Sequence, residues 1–456
     1  MDSPYKMHTS NPSPLAELVA RNRAYIPGGI SSANRIIEPP IAFAKGQGAY
    51  LWDLDGKRYI DYHAGFAPYF LGHNFQPVNQ AAVAAVNGGD SLFGAGFSAM
   101  EGQLAELLCR RIGGALEKVV LLNTGSEATS FAIRLSRAIT QRKHFIVMQG
   151  GYNGNHDELA CNVFNSISEI GPRVSPGEYP LRPLGAGTTI ADTGFVHVVN
   201  FNDLESVRYV CRRYPVCAVI TEPILQNIGV VKPAAGYLQG LRELANELGF
   251  LLIFDEVKTG FRHALGGYSA ISGVRPDLVV YGKAIANGFP LAVVGGRRDL
   301  MDFAAHPDPS QRPFLAGTYN GHPVAVAAAL RTIEFLAEHE PSLYPAVEAL
   351  GRHMESGILE ILSRHHLVGC VSRQGSAFAI YFMEEPPRDL HDIIQHHDFD
   401  KDLLVRRELI AEGIFFIPVA AKQCSLSAAH TRADVDFTLE KLDAVMQRVS
   451  SGQARS

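Results

Sequence analysis

Through the middle of the chain, short apolar runs alternate with amphipathic stretches. Val119–Leu122, His144–Met148, Ala218–Thr221, Leu251–Phe254 and Leu278–Tyr281 are rich in Val, Ile and Leu and predict buried strands. Glu127–Thr140 and Leu238–Leu248 predict helices between them. In the second, apolar residues at 238, 241, 244, 245 and 248 share one face, and Gly249 ends it. Apolar strands separated by helices predict an α/β fold with a mostly parallel sheet covered on both faces.

The flanks read differently. Leu15–Arg23 predicts a short helix, broken by Ile26-Pro27-Gly28-Gly29, and Ala49–Asp61 predicts a hairpin turning at Asp55-Gly56. After Pro323 an Ala-rich helix is expected to about His339, followed by helical and short strand segments including Ala377–Phe382 and Ile414–Ile417. A smaller α+β domain therefore starts near 325. Residues 162–193 are rich in Gly, Pro and Ser with little periodicity, which suggests a lid or active-site loop. The polar ends, 1–13 and 450–456, are expected to fray.

At 456 residues the chain is too long for one small core. Its 46% hydrophobic and 19% charged residues exclude a disordered protein, and a net charge of −5 gives no reason to expect nucleic acid or an anionic membrane as partner. The six cysteines lack CxxC spacing and read as reduced thiols. With no membrane-length apolar run and no secretory-type start, the expected location is cytoplasmic. No His/Asp cluster has metal-ligand spacing.

Candidate chemistry gathers at the predicted strand ends. Asn123-Thr124-Gly125-Ser126-Glu127-Ala128 lies between a strand and a helix. The N–H groups of Gly125 and Ser126 there suit a phosphate, although Ser with a nearby acid also reads as an ordinary helix cap. Tyr152, in Gly150-Gly151-Tyr152-Asn153-Gly154, is placed to stack on a flat ring or to pack a turn. Glu222 ends a third strand. Asp255 follows a fourth and, buried, needs a cationic partner such as a pyridinium. Lys283 follows a fifth, in an almost uncharged setting that lowers an amine's pKa and frees its lone pair for a carbonyl.

Together with Asp255-Glu256-Val257-Lys258-Thr259-Gly260-Phe261-Arg262, Tyr281-Gly282-Lys283 and Ala316-Gly317-Thr318-Tyr319-Asn320-Gly321-His322-Pro323, the 123–128 segment resembles the class III aminotransferases, of pyridoxal phosphate fold type I. The likeness runs from about residue 22 to 445. Within that family, Ile26–Arg35 and Gly295–Asp299 resemble the glutamate-1-semialdehyde aminomutase branch. The resemblance implies a large cofactor-binding domain over 66–324, a small domain over 325–456, and an N-terminal segment, 1–65, joining the small one. It implies Lys283 as the Schiff-base lysine and proton shuttle, Asp255 on the pyridine nitrogen, and Val257 and Tyr152 on either ring face. Gly125 and Ser126 would hold the phosphate, joined by Thr318 of a neighbouring subunit in a homodimer with shared sites. Asn227 would sit near the phenolic oxygen with Glu222 close by. Arg35, with Ser32, would bind a substrate carboxylate.

Three positions depart from the branch. Asn153 replaces a histidine, Phe66 replaces a tryptophan, and Lys422 stands at a glutamate of the aminomutase. A base at 422 favours an anionic contact over an amine, or is a solvated loop lysine. The expected activity is a pyridoxal phosphate-dependent aminotransferase acting on a carboxylate-bearing amino donor and a carbonyl acceptor. An aminomutase, a β-amino acid aminotransferase, a decarboxylase or racemase on the same scaffold, and a catalytically silent binding protein remain open.

Overall fold

A computed structural model of the chain describes residues 13–114, 116–189 and 194–453. Most of the terminal residues expected to fray, and the last four of the 162–193 segment, lie outside the described residues. The N-terminal helix, Pro14–Tyr25, starts at a Ser13 cap and stops before the Pro27-Gly28-Gly29 turn. Strands β1 (Phe43–Gln47), β2 (Tyr50–Asp53) and β3 (Arg58–Asp61) form an antiparallel sheet, and Gly56 adopts φ +82° in the expected hairpin turn.

The central sheet contains β4 (Lys118–Leu122), β5 (His144–Gln149), β6 (Val196–Asn200), β7 (Val216–Thr221), β8 (Leu251–Glu256), β9 (Leu278–Tyr281) and β10 (Ala292–Gly296). Their order is β4-β10-β9-β8-β7-β5-β6. Strands β6, β5, β7, β8 and β9 pair in parallel, and β10 runs antiparallel to both β9 and β4. Six strands thus present their carboxyl ends at one edge, the edge at which open α/β sheets bind ligands. Burial is nearly complete along β5 to β9, as apolar runs covered on both faces require.

Strands β6 and β10 had no place in the sequence-based reading. Gly295 and Gly296 in β10 look like a turn, but both are needed for close packing. A Cβ on Gly296 would lie 2.6 Å from the Asp277 carbonyl oxygen, and one on Gly295 would lie 3.0 Å from Leu116. The helix expected to end near His339 runs from Pro323 to Arg364, through Pro341 and Pro345. A proline reads as a stop because it lacks an N–H and crowds the preceding turn; here packing of Val347, Met354, Ile358 and Leu362 into the core carries the helix onward.

Beyond this helix lie β11 (Cys370–Gln374), β12 (Ala377–Tyr381), β13 (Ile414–Phe415) and β14 (Cys424–Ser425). Strands β11, β12 and β14 form a third sheet, while β13 pairs in parallel with β3, tying the two ends of the chain together.

Candidate active site

Asp255 and Lys283 stand on neighbouring strands. In the β8–β9 register Asp255 faces Val280 and Glu256 faces Tyr281, so Lys283 follows two residues past the last pair. Lys283 opens a short 3-10 turn with φ +49°, a conformation that strains a side chain other than glycine and recurs at functional sites. Burial pushes its amine's pKa down. Asp255 and Glu222 oppose that shift, and Arg262 adds to it. The amine has no hydrogen-bond partner among the described residues, which leaves its lone pair available.

Asp255 is 3% exposed. Its Oδ2 accepts from Asn153 Nδ2 at 2.9 Å and its Oδ1 from the Val257 N–H at 3.0 Å. Desolvation still raises its pKa to about 6, with Glu222 pushing the same way. Among the described residues no cation pairs with it directly. A buried carboxylate oriented by two donors and lacking a counter-charge fits a pyridinium.

The helix Gly125–Thr140 begins against this pair. Its cap is Thr124, not Ser126: Thr124 Oγ1 accepts from the Glu127 N–H, and the Glu127 carboxylate returns to the Thr124 N–H. Neither Gly125 nor Ser126 has a backbone acceptor for its N–H among the described residues, while Ser126 Oγ accepts from Asn155 N at 2.8 Å. A Cβ on Gly125 would lie 3.1 Å from both Val257 methyls, and one on Gly282 would lie 3.3 Å from the nearer of them. Val257 therefore touches both the phosphate-type turn and the residue before Lys283.

Glu222 organises the far side. Its carboxylate accepts from the N–H groups of Tyr152 and Gln226 and from Asn227 Nδ2, each at 3.0 Å. Burial raises the pKa of the half-buried Tyr152 phenol, and the Asp255 charge adds to that. Lys422 Nζ donates to the Asn227 carbonyl at 2.7 Å, and burial lowers its pKa to about 8. The sequence-predicted residues Gly125, Ser126, Tyr152, Glu222, Asn227, Asp255, Val257, Lys283 and Lys422 thus gather at one sheet edge. Ser32 and Arg35 do not join them: Arg35 is exposed, its N–H donates only to the Ser32 carbonyl at 3.0 Å, and its side chain makes no hydrogen bond among the described residues. Thr318 is also exposed, on a loop whose Asn320 accepts from Asn123 Nδ2 at 3.0 Å.

Two contributors escaped the sequence reading. Lys258 follows a strand, where a lysine usually reaches solvent. It is 8% exposed and donates to the Gln226 carbonyl at 2.6 Å and to Asn227 Oδ1 at 3.3 Å. His63 lies on the strained Ala64–Ala67 loop, where four successive residues have positive φ. The 162–193 segment is partly anchored: Arg173 pairs with Asp389 and Asp392, and Tyr179 bridges to Val198. Its Phe164 ring lies 5.1 Å from Lys422 Nζ. Among the described residues, no group of His, Cys, Asp and Glu is arranged to hold a metal, and no helix is long and apolar enough to cross a membrane.

Residues 31–447 match the family model described as "Aminotransferase class-III". The chain is 35% identical over 438 residues to a glutamate-1-semialdehyde 2,1-aminomutase of Syntrophomonas wolfei, covering 95% of this chain and 97% of that protein. Among solved structures, an omega-transaminase from Sphaerobacter thermophilus superposes with TM-score 0.87 at 29% identity, over 96% of this chain and 98% of its own. A transaminase with PLP bound superposes with TM-score 0.82 at 26% identity, over 96% and 98%.

Proposed function

The chain belongs to the class-III aminotransferases and is a pyridoxal phosphate-dependent enzyme of fold type I, and from that premise we propose that it transfers an amino group from a carboxylate-bearing amino compound to a keto acid or aldehyde. The observation that carries this reading is the half-buried Lys283 amine just past the end of β9, without a hydrogen-bond partner among the described residues, beside the buried Asp255 carboxylate at the end of β8.

Lys283, Asp255, Val257, Tyr152, Asn227, Glu222, Gly125 and Ser126 would hold the cofactor. When bound, it supplies an aldehyde that takes up the amine and a ring that accepts the electrons of a broken C–H bond. Lys283 Nζ, its pKa lowered by burial, serves as the base that takes the proton from the amine-bearing carbon and later returns one to the acceptor. The Asp255 carboxylate, fixed by Asn153 and the Val257 N–H, stabilises positive charge opposite it. Glu222 holds the backbone of Tyr152 and the side chain of Asn227 in place. Lys422 is assigned to the substrate; Arg35 and Ser32, which stand apart from this cluster, would take the carboxylate only once their segment closes on it, and a guanidinium suits that role because it pairs with both oxygens.

A homodimer is part of this reading. Phe93, Phe97, Phe314 and Tyr319 are 75%, 107%, 75% and 62% exposed, the last two flanking Thr318 in sequence. Aromatic exposure of that extent favours a second copy as cover, so sedimentation should give twice the chain mass, and a monomer would remove the shared-site assignment of Thr318. All six cysteines are free, which supports a reducing, cytoplasmic setting.

The second reading is an aminomutase, favoured by the identity to proteins of that name. The test is a half-reaction screen: single amino acids added to the cofactor-loaded enzyme should convert the aldehyde band to the amine form. Conversion of glutamate-1-semialdehyde with no outside acceptor, and no response to any amino acid, would replace the transaminase reading with the aminomutase.

A further inference from the structure

Lys258 and Lys422 reach the same two residues from different parts of the chain. Lys258 projects from the turn after β8 onto the Gln226 carbonyl and Asn227 Oδ1. Lys422 comes from the loop before β14 onto the Asn227 carbonyl. Both line one cleft with His63, Phe66, Ala67, Ile417, Gln423 and Ser425. Neither lysine forms an ion pair among the described residues. The neighbouring Glu222 carboxylate is already engaged by three N–H donors, and Arg406 is paired to Asp402.

The cleft also holds unmet hydrogen-bonding groups. His63 Nε2 and Gln423 Oε1 are buried and without partners, and Gln423 is only 5% exposed. The Gln423 amide turned over would offer an N–H instead, with Ser425 Oγ satisfying the oxygen. An ammonium group carries three donors. Lys258 therefore keeps one and Lys422 two beyond the bonds they make. Two desolvated amines without a counter-ion cost stability, and an anion entering the cleft offsets that cost. Burial depresses the pKa of both amines; Lys283, Lys422 and Arg262 add to the effect on Lys258 and Arg406 to that on Lys422, while Glu222 opposes both. An anion is the missing component.

We propose that Lys258 and Lys422 form an anion subsite that selects substrates carrying a second carboxylate, remote from the carbon that exchanges its amine. This deepens the aminotransferase reading above and rests on it. The strained Ala64–Ala67 loop gives the subsite a wall, with the Phe66 ring 4.2 Å from that of His63. An apolar wall beside two amines suits the methylene stem of a carboxylate, one oxygen of which would take the roughly 10 Å³, about one water's space, that the cleft leaves.

The test uses the cofactor-loaded full chain and two probes, glutarate and butyrate, in calorimetric titrations at neutral pH. Glutarate should bind at least about ten-fold tighter than butyrate, the scale of a charge-assisted contact. Lys258→Met and Lys422→Met should each remove that preference while the visible cofactor band is retained, and Lys258→Arg should recover part of it. Equal binding of the two probes by the native chain, or a preference surviving both changes, overturns the subsite. If Lys258→Met does not fold, Lys422→Met, on a half-buried loop, decides the matter by the same reading. A chain that takes up no cofactor overturns the aminotransferase reading instead. A chain that shows the band but no glutarate preference overturns only the subsite.

Discussion

Asn153 Nδ2 donates a hydrogen bond to Asp255 Oδ2 at 2.9 Å, where each residue is only 3% exposed. This bond holds the Asp255 pKa below the level that burial alone would set. Asn153→Leu should therefore raise that pKa above about 6 and leave part of the acid protonated at neutral pH. A bond to a charged acceptor contributes about 1.5–3 kcal/mol, so cofactor affinity near pH 7 should fall roughly ten-fold or more. The deficit should shrink as pH rises to about 9 and the carboxylate ionises regardless. Fluorescence titration of cofactor uptake at both pH values measures this, and an equal deficit at both would show that Asn153 acts by shape alone.

Asp255 should make the cofactor-free protein less stable as pH rises. Its folded-state pKa, about 6, exceeds the ordinary aspartate value of 3.8. Between those values the folded chain holds more protons than the unfolded chain, so stability falls from about pH 4 to about pH 6 and stays lower above. Glu222 strengthens the effect, while Asn153, the Val257 N–H and Lys283 weaken it. Without cofactor, Asp255→Asn should be the more stable protein above pH 6, by at most about 2–3 kcal/mol. The two should converge toward pH 4, and with cofactor the order should reverse. Urea melts across that range provide the comparison; parallel curves would mean that Asp255 is not the group responsible.

Legibility followed how local each signal was. The acid and lysine at the ends of β8 and β9 could be read because apolar runs end in charged residues within a few positions. The stop at Gly249 was readable for the same reason, and Gly249 adopts φ +71° at the helix end. Lys258 and His63 were not readable. Their burial depends on the 226–227 turn, the 422 loop and the strained 64–67 loop, which are distant in sequence. Helix capping at Thr124 rather than Ser126 turned on a one-residue choice that only the geometry makes. The Pro341 helix was missed because long-range packing overrides a local penalty.

Three amines crowd this edge, and only one should carry the cofactor. Burial depresses Lys258, Lys283 and Lys422 alike, so pKa alone does not choose among them. Hydrogen bonding does: Lys258 and Lys422 are committed to residues 226–227, whereas Lys283 has no acceptor among the described residues. Borohydride reduction followed by peptide mapping should place the cofactor's mass on the peptide containing Lys283 and leave the other two unlabelled. Lys283→Ala should abolish turnover and labelling together. Label on Lys258 would mean that its hydrogen bonds break on loading and would reassign the reactive amine.

Gly125 and Val257 should be coupled energetically. Gly125 begins its helix with ordinary backbone geometry, so alanine there meets no conformational penalty. The obstacle is steric: its Cβ would lie 3.1 Å from both methyls of Val257. Val257 cannot retreat freely, because it also closes on Gly282, just before Lys283. Gly125→Ala should thus cost about 1–3 kcal/mol through overpacking and displace the turn assigned to the phosphate. Val257→Ala removes the colliding methyls, so the double variant should be more stable than the sum of the single effects predicts, by about 0.5 kcal/mol or more. Stability from urea melts and cofactor affinity should both show this coupling. Strict additivity in both would mean that the turn and the valine do not share the contact through which the phosphate site and the reactive lysine are held in register.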